Sequence, residues 1–425
     1  MKINKTNGYD INKKYYLAVG VFMLISIAYI LIVNTQPFSD FSYYHELAKQ
    51  IALGGVWGNT YTSVGYSIFL AAFYKLFGAK IIVAKLVNLA LSILSIILFK
   101  KILNFAPIRE KNKFIIFIIF VFFPSTIFYN SILCSEVLFT FLLLLSSYLL
   151  FNEEIRFKYV YIGILVGINT MVKPFFIVYF FAIFLFKLIF KEGIINALKY
   201  SLLVLLIALI TLSPWVYRNT KYNKKFTFVS NNGGIVLYIN NNSQNKWGRW
   251  MPIKDINNSI ANTSEYKNAD MTTKNKLLES AAKTWIKAHP KEFIVLGLKR
   301  LGNTYFIGDD LAYSLNGVNL SEKNKYTLYY VYGTIRGIFV FSSIIYILLY
   351  SVYILFCIVK RELDKLNKIT VYFCMLFYML SCVYFVTEGQ SRYSFPIIFV
   401  FSYSFYNFIN LIKFRINQKK CKRSK

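Results

Sequence analysis

Uninterrupted apolar blocks, rather than apolar stripes on one helical face, dominate this chain. Most of the blocks approach or reach the roughly 20 residues that a helix needs to cross the hydrocarbon core of a membrane. The pattern therefore predicts an all-α polytopic membrane protein. The blocks are Tyr15–Val33, Ile81–Phe99, Phe114–Phe128, Ile132–Phe151, Leu198–Trp215, Ile338–Val359, Val371–Val386 and Phe395–Ile412.

One further apolar segment decides how many times the chain crosses the membrane. Tyr159–Phe190 is apolar except for Lys173-Pro174 in its middle. Proline breaks an α-helix, and half-length helices are tolerated where they line a cavity in the protein. We therefore predict two short spans that turn at Lys173-Pro174, which gives about ten transmembrane helices in all.

Lys and Arg residues are distributed very unequally between the two sides of this predicted bundle. The short segments on one side, which include both termini, contain 25 of them, and those on the opposite side contain 4. The positive-inside rule places the richer side in the cytoplasm. A single span over Tyr159–Phe190 would lose this asymmetry. We therefore expect a multi-pass protein of the cell membrane with both termini cytoplasmic, and Tyr15–Val33, which lacks a small-residue cleavage site, as a retained anchor.

Composition excludes several classes of function. With 56% hydrophobic and 16% charged residues, the chain has too little polar surface for a water-soluble body of this size. The net charge of +30 is explained by topology, so no nucleic-acid partner is expected. The five cysteines show no disulfide or zinc spacing, and two histidines cannot form a histidine-rich metal site. Gly-rich phosphate loops, Asp-x-Asp and Ser/His/Asp patterns are missing, so a cytoplasmic nucleotide-sugar enzyme is unsupported.

Two segments between the spans carry elements of their own. In the first loop, 34–79, Asp40–Leu53 places Tyr44, Leu47, Ala48 and Ile51 on one face, as in a helix at the membrane surface. Val64–Phe77 predicts a second interfacial helix. In the large loop, 216–328, Phe226–Ser230 and Ile235–Ile239 flank Asn-Asn-Gly-Gly and predict a hairpin. A helix from about Thr273, interrupted at His289-Pro290, completes a small mixed extracytoplasmic domain.

Ionisable residues collect at the predicted outer ends of the spans, although they come from six separate stretches of chain. A charge inside the bilayer costs roughly 3 kcal/mol, so charges beside spans need a reason. Carboxylates can act as a base or bind a cation, and cations can hold a phosphate. The mixture is typical of a reaction on a phosphate-linked lipid at the outer surface. The residues are Asp40, Glu136, Lys173, Arg218, Arg336, Glu388 and Arg392.

Each of these residues also has a purely structural interpretation. Asp40 could be a helix N-cap, and Glu136 could favour the dipole at a helix start. Lys173 and Arg336 could snorkel to lipid headgroups, and Arg218 could anchor the interface beside Trp215. Glu388 and Arg392 could pair only with each other. Their shared side of the membrane is the stronger signal.

Several short motifs resemble the GT-C superfamily of lipid-phosphate-sugar glycosyltransferases, in particular bacterial relatives of protein O-mannosyltransferases and aminoarabinose transferases. They cover most of the chain. The motifs are Asp40 after the first span, Gly54-Gly55, Gly65–Leu70 running to Tyr74–Gly78, Ser135-Glu136, Gly163–Pro174, Pro214-Trp215 with Arg218-Asn219, Gly233-Gly234, Asn240–Asn242, His289–Phe293 and Arg392–Pro396.

The resemblance implies a polyprenyl-phosphate sugar donor, an extracytoplasmic acceptor (a lipid, protein or wall glycan) and an active site on the outer face. Asp40 would be the catalytic base and Glu136 the second catalytic acid residue, which orients the acceptor or a cation. The implied substrate-binding residues are Lys173, Arg218, Arg336, Glu388, Arg392 and Tyr393. No cofactor is certain, no metal ligand is assigned, and a divalent cation is left open.

The same resemblance implies a division of the chain. Residues 1–215 would form a GT-C-like transmembrane module with the catalytic first loop, 216–328 an extracytoplasmic loop domain, and 329–425 the C-terminal transmembrane helices with a basic cytoplasmic tail. Two other functions compete. A transporter, flippase or polymerase of lipid-linked glycans should carry charges through mid-membrane, and an adhesion or sensor protein would give Asp40 and Glu136 no joint purpose.

Overall fold

The computed structural model describes residues 5–423, and this part of the chain consists of α-helices, short 3-10 turns and loops, with no strand. The helices of the first half are α1 (Lys5–Val33), α2 (Ser39–Ala52), α3 (Gly65–Phe77), α4 (Ile81–Asn104), α5 (Glu110–Val121), α6 (Pro124–Phe128), α7 (Ser135–Phe151), α8 (Lys158–Val172), α9 (Tyr179–Ile189) and α10 (Ile194–Asn223). Those of the second half are α11 (Gly233–Asn240), α12 (Ser264–Asn268), α13 (Met271–Ala288), α14 (Pro290–Tyr305), α15 (Asp310–Ser314), α16 (Glu322–Lys360), α17 (Lys368–Val386) and α18 (Ile398–Arg423).

Six stretches of helix are long and apolar enough to cross a membrane within the described residues, which confirms a polytopic membrane protein. They are Asn12–Val33, Ile81–Asn104, Ile194–Asn223, Glu322–Lys360, Lys368–Val386 and Ser391–Gln418.

A seventh apolar stretch, which includes the predicted block Phe114–Phe128, is bent. Its two helices, α5 and α6, meet at an angle of 55°. Pro124 starts α6, and a proline cannot donate the backbone hydrogen bond that would continue α5. The rule that predicted the break at Pro174 therefore also applies at Pro124.

The predicted break at Lys173-Pro174 is confirmed. Helix α8 ends at Val172, Lys173 is extended, and Pro174–Val178 forms a 3-10 turn before α9. The end of α8 therefore leaves the Lys173 side chain free of the helix and available for contacts with neighbouring elements. The crossing of the membrane by α8 and by α9 is part of the topology that we propose below.

Two glycines let α8 pack closely against α10. A Cβ atom added at Gly163 would lie 2.6 Å from Ile207 Cβ, and one added at Gly167 would lie 2.7 Å from Thr211 Cβ. Both distances are shorter than any van der Waals contact, so the four-residue spacing of these glycines forms a small-residue interface between α8 and α10.

We expect Gly167→Ala to lower the midpoint of thermal unfolding in detergent, because overpacking typically costs about 1–3 kcal/mol. Gly20→Ala is the matched control, because no atom lies within 4 Å of a Cβ added at Gly20 of α1. Alanine is also the better helix former, so the control should unfold no earlier than the wild-type protein. Equal midpoints for the two variants would contradict the packing argument.

Both helices predicted for the first loop are present, as α2 and α3. The apolar face of α2 is buried by the protein itself, largely through packing on α3. Its buried residues are Phe41, Leu47, Ala48 and Ile51. The packing fixes the start of α2 and with it Asp40, whose carboxylate contacts Arg392.

The predicted hairpin in the large loop is wrong, and the described part of this loop is helical rather than mixed. Gly233 begins α11, which runs to Asn240. Ile235, Tyr238 and Ile239 follow helical spacing and pack with Leu278 and Ala282 of α13. This burial favours the helix over a strand. The predicted helix from Thr273 with a break at His289-Pro290 is confirmed as α13 and α14.

Candidate active site

Four charged residues from four separate elements meet beside the first loop. Asp40 lies in the first turn of α2, Glu136 in the first turn of α7, Lys173 directly after α8, and Arg392 in the 3-10 turn Ser391–Ile397. The N-cap of α2 is Phe38, with no side-chain cap hydrogen bond. Asp40 is therefore not an N-cap, and its structural interpretation is wrong.

The four side chains alternate in charge and form one network. Arg392 Nη2 donates to Asp40 Oδ2 at 2.9 Å, and Lys173 Nζ donates to Glu136 Oε1 at 2.8 Å. Arg392 Nε lies 3.9 Å from the same Glu136 Oε1 and connects the two pairs. We call Asp40, Arg392, Glu136 and Lys173 the charge network. Lys173 is thus paired inside the protein rather than snorkelling, and Arg392 pairs with Asp40 rather than Glu388.

The four side chains of the network differ in their exposure to solvent, and Asp40 is the most exposed of them. The Glu136 side chain is 1% exposed, Arg392 11%, Lys173 18% and Asp40 49%. Glu136 Oε2 and Arg392 Nε are buried without a hydrogen-bond partner. Leaving a buried polar atom unpaired costs about 1–3 kcal/mol, and more for a charged group. Unpaired groups of opposite charge within one cluster therefore indicate a site for binding or reaction.

A cavity of about 250 Å³ opens onto the exposed end of the network. Asp40 and Arg392 contribute its charges, and four aromatic rings contribute most of the rest. The Arg392 guanidinium carbon lies 5.5 Å from the centre of the Phe41 ring. The cavity can therefore present a carboxylate and a guanidinium to a ligand against apolar walls. Its lining residues are Phe38, Ser39, Asp40, Phe41, Trp250, Tyr313, Gln390 and Arg392.

Glu388 and Tyr393 lie beside the network. The Tyr393 hydroxyl donates to Glu388 Oε2 at 2.8 Å, and Gln390 Nε2 donates to Oε1 at 2.6 Å. The Tyr393 ring stacks on Tyr384 with centroids 5.1 Å apart, and Lys173 Nζ lies 5.5 Å from its centre. Glu388 therefore stabilises the start of the Ser391–Ile397 turn through Gln390 and Tyr393, and the Tyr393 ring lies between Glu388 and Lys173.

Arg336 lies behind the site rather than in the cavity. Its side chain is fully buried and donates to the carbonyls of Thr304 and Tyr305 and to Ser394 Oγ at 2.6 Å. Arg336 therefore links the 3-10 turn Ser391–Ile397, which contains Arg392, to the end of α14. Its interpretation as a snorkelling residue is wrong.

Arg218 contacts the first loop at another point. Its Nη2 donates to the Gly58 carbonyl at 2.6 Å, and its guanidinium lies 4.9 Å from the Trp215 ring centre. This arrangement fixes the backbone of the first loop beyond α2. Arg218 does not line the 250 Å³ cavity.

Sequence reasoning missed the neighbouring carboxylates Asp309 and Asp310. Asp310 is buried, accepts from the Tyr332 hydroxyl at 3.1 Å and lies 3.8 Å from Arg336 Nε. Asp309 pairs with Arg249 and accepts from the Ser391 hydroxyl. Both residues thus hold the turn that carries Arg392. Two adjacent carboxylates after the apolar pair Phe306-Ile307 were the signal that could have identified them.

Within residues 5–423, no three His, Cys, Asp or Glu side chains come together as a group that could hold a metal ion.

No protein-family model and no curated protein matches this sequence. Two solved structures are similar. The archaeal oligosaccharyltransferase AglB from Archaeoglobus fulgidus, in complex with an inhibitory peptide and a dolichol-phosphate, matches with a TM-score of 0.54 and 11% identity, over 96% of this chain and 51% of that one. ArnT from Cupriavidus metallidurans, bound to undecaprenyl phosphate, matches with a TM-score of 0.46 and 10% identity, over 94% and 78%.

The chain thus spans about half the length of the oligosaccharyltransferase that it resembles. At 11% identity the likeness concerns the fold alone. The overall fold that the motif resemblance implied is confirmed by this likeness.

Proposed function

We propose that this protein is a membrane glycosyltransferase that moves one sugar from a polyprenyl-phosphate donor to an acceptor on the extracytoplasmic face. The observation that carries the proposal is the convergence of Asp40, Arg392, Glu136 and Lys173 from four separate elements into one charge network, of which Asp40 and Arg392 line a cavity. The fold supports it, because the similar oligosaccharyltransferase was solved with a dolichol-phosphate. Because a fold alone does not establish an activity, the activity is inferred from the residues of the site.

Asp40 is the general base in this mechanism. It is about half exposed and lines the cavity, and no described residue donates a hydrogen bond to its Oδ1. A hydroxyl becomes an effective nucleophile when a base in reach accepts its proton. The acceptor oxygen forms a bond to the anomeric carbon, its proton passes to Asp40, and the bond from that carbon to the phosphate oxygen breaks. The electron pair of the broken bond remains on the lipid phosphate.

Arg392 and Lys173 stabilise the leaving phosphate. Arginine suits this role because its planar fork matches phosphate oxygens. Each charged hydrogen bond contributes about 1.5–3 kcal/mol. Arg392 already donates to Asp40, so a phosphate that engages Arg392 competes with this carboxylate. Donor binding therefore frees Asp40 to accept a proton, which couples the two halves of the reaction.

Glu136 keeps the cations in position. Its carboxylate is almost fully buried and lies between Lys173 and Arg392, so it balances their charge before the donor binds. Tyr393 and Glu388 shape the wall beside Lys173 and complete the donor site. Arg336 and Arg218 act as positioning residues, the first for the turn of Arg392 and the second for the backbone at Gly58.

We propose ten spans for this enzyme. The three shorter apolar helices α7, α8 and α9 cross the membrane together with the six long stretches and the bent pair of α5 and α6. This topology places 25 Lys and Arg of the short segments in the cytoplasm and 4 on the other side. The catalytic module, 1–215, then presents its first loop, and the large loop, 216–328, covers it from outside.

The proposal is tested with purified full-length protein in vesicles that contain polyprenyl phosphates linked to radiolabelled sugars. We expect label to move to an acceptor fraction of extracted cell-envelope lipids and glycans, and only from donor in the leaflet that faces the large loop. Vesicles in which the large loop faces the lumen should not use external donor. Movement of intact donor across the bilayer without loss of its sugar would contradict transfer and favour a flippase.

A further inference from the structure

A second cavity, of about 320 Å³, lies between the first loop and the large loop and takes no part in the proposed transfer step. Its volume falls at the lower end of the roughly 300–1,000 Å³ typical of small-molecule pockets. Five of its eight lining residues have polar side-chain groups, and the rest are apolar. The lining residues are Tyr61, Asn231, Ile235, Tyr266, Met271, Lys274, Asn275 and Leu278.

Two tyrosine rings and an apolar floor give this cavity surfaces for flat, amphipathic ligands. The Tyr61 side chain is 39% exposed and Tyr266 is half-buried, so both rings remain accessible. Ile235 and Leu278 provide the apolar surface between them. Sugar rings have this character, because their C–H faces are apolar and their edges carry hydroxyls, and tyrosine likewise combines an apolar ring with a polar end.

Two asparagines supply hydrogen-bonding groups of opposite kind. Asn275 Oδ1 accepts from the Gly234 backbone N–H at 2.6 Å, which leaves Nδ2 available to donate. Asn231 is 5% exposed and its Nδ2 donates to the hydroxyls of Thr60 and Thr272, so its Oδ1 remains as an acceptor that no described residue engages. A sugar hydroxyl both donates and accepts, and the pair can satisfy neighbouring hydroxyls.

Lys274 adds one positive charge to the cavity. Its Nζ lies 5.6 Å from the centre of the Tyr266 ring, and no ion pair joins it to a described residue. An uncompensated ammonium at the edge of a partly enclosed pocket attracts an anionic group. The charge therefore favours a ligand with a carboxylate or phosphate substituent.

The second cavity adjoins the catalytic segment through the first loop. The Thr60 carbonyl accepts from the Asn231 backbone N–H at 2.7 Å, and Thr60 is buried. Burial, the neighbouring Tyr266 phenol and the Asp40 carboxylate together raise the pKa of the Tyr61 phenol. The first loop therefore contributes to both cavities, through Asp40 to the first and through Tyr61 to the second.

We propose that the second cavity binds a sugar ring of the acceptor, which makes the acceptor an anionic glycan rather than a peptide. The glycan extends from the Tyr61 and Tyr266 rings to Asp40, where one of its hydroxyls reacts. This inference rests on the proposed function and specifies the substrate class of the same site.

Binding is tested by saturation-transfer NMR on the full-length protein in lauryldimethylamine oxide, a detergent without a sugar headgroup. The probes are tetragalacturonate, tetraguluronate and a hyaluronan tetrasaccharide, with maltotetraose and tetraglutamate for comparison. We expect saturation of at least one acidic tetrasaccharide and its loss in Lys274→Ala and Asn275→Asp. Asn275→Asp keeps an acceptor for Gly234, removes the donor and adds a negative charge that repels an acidic saccharide. Binding of tetraglutamate alone, or of no acidic saccharide, would overturn the inference.

Transfer assays that use the best-binding tetrasaccharide as acceptor separate this inference from the proposed function. Lys274→Ala should raise the acceptor KM roughly tenfold and leave the donor KM unchanged. Lys276→Ala, on the exposed side of the same helix, is the matched control. If Asp40→Asn is inactive but Lys274→Ala has a normal acceptor KM, only the glycan site is refuted. If Asp40→Asn transfers sugar at the wild-type rate, Asp40 is not the base, and if the wild-type protein transfers no sugar to any acceptor, the proposed function fails.

Discussion

Asp40→Asn is expected to lower the rate of sugar transfer by about 10²–10⁴-fold, the range that general base catalysis contributes. Asparagine has the same shape and can still accept the hydrogen bond from Arg392 Nη2, which now spans 2.9 Å to Asp40 Oδ2. It cannot accept the acceptor proton. Expression, folding and donor affinity should therefore remain close to those of the wild-type protein while kcat falls.

Glu46→Gln is the matched control for this variant. Glu46 lies on the same helix, α2, and its side chain is 66% exposed. The control removes one carboxylate from the helix without touching the cavity and should transfer sugar at the wild-type rate. Near-normal turnover of Asp40→Asn in the same assay would refute the role of Asp40 as a base, whatever the activity of the control.

The sequence predicted the local features of this fold because their causes are local. Proline prevents continuation of α8 at Lys173-Pro174, and Pro290 starts α14 for the same reason. The apolar spacing of Asp40–Leu53 predicted α2. Where a tertiary contact competes with a local signal, the prediction failed. Ile235–Ile239 reads equally well as a short strand, and only its packing on α13 makes it helical.

The candidate site was predictable as a set of residues but not as a set of pairs. Charges at one side of the predicted bundle identified Asp40 and Arg392, which are 352 positions apart along the chain. Spacing along the sequence favoured the pair Glu388–Arg392, which are four residues apart. Spacing gives no information on the turn that directs Arg392 toward α2. The cavities were not predictable at all, because they depend on how the large loop packs over the first loop.

Arg392→Lys is expected to raise the donor KM by about 10–100-fold, with a smaller effect on kcat. Arginine reaches Asp40 through Nη2 while its Nε faces Glu136 at 3.9 Å, and a lysine has one ammonium for both. Loss of a charged hydrogen bond costs about 1.5–3 kcal/mol, and each 1.4 kcal/mol corresponds to about a tenfold change in affinity. Measuring initial rates against donor concentration gives the KM directly.

Because the positive charge is kept, Arg392→Lys should leave Glu136 compensated and the protein folded. Arg392→Ala should in addition lower the thermal midpoint, since removing one partner of a buried charge pair costs about 3–5 kcal/mol. Arg156→Lys, at an exposed position beside the Phe157 ring, should change neither quantity. A normal donor KM in Arg392→Lys would place the phosphate elsewhere, and a raised acceptor KM alone would assign Arg392 to the acceptor instead.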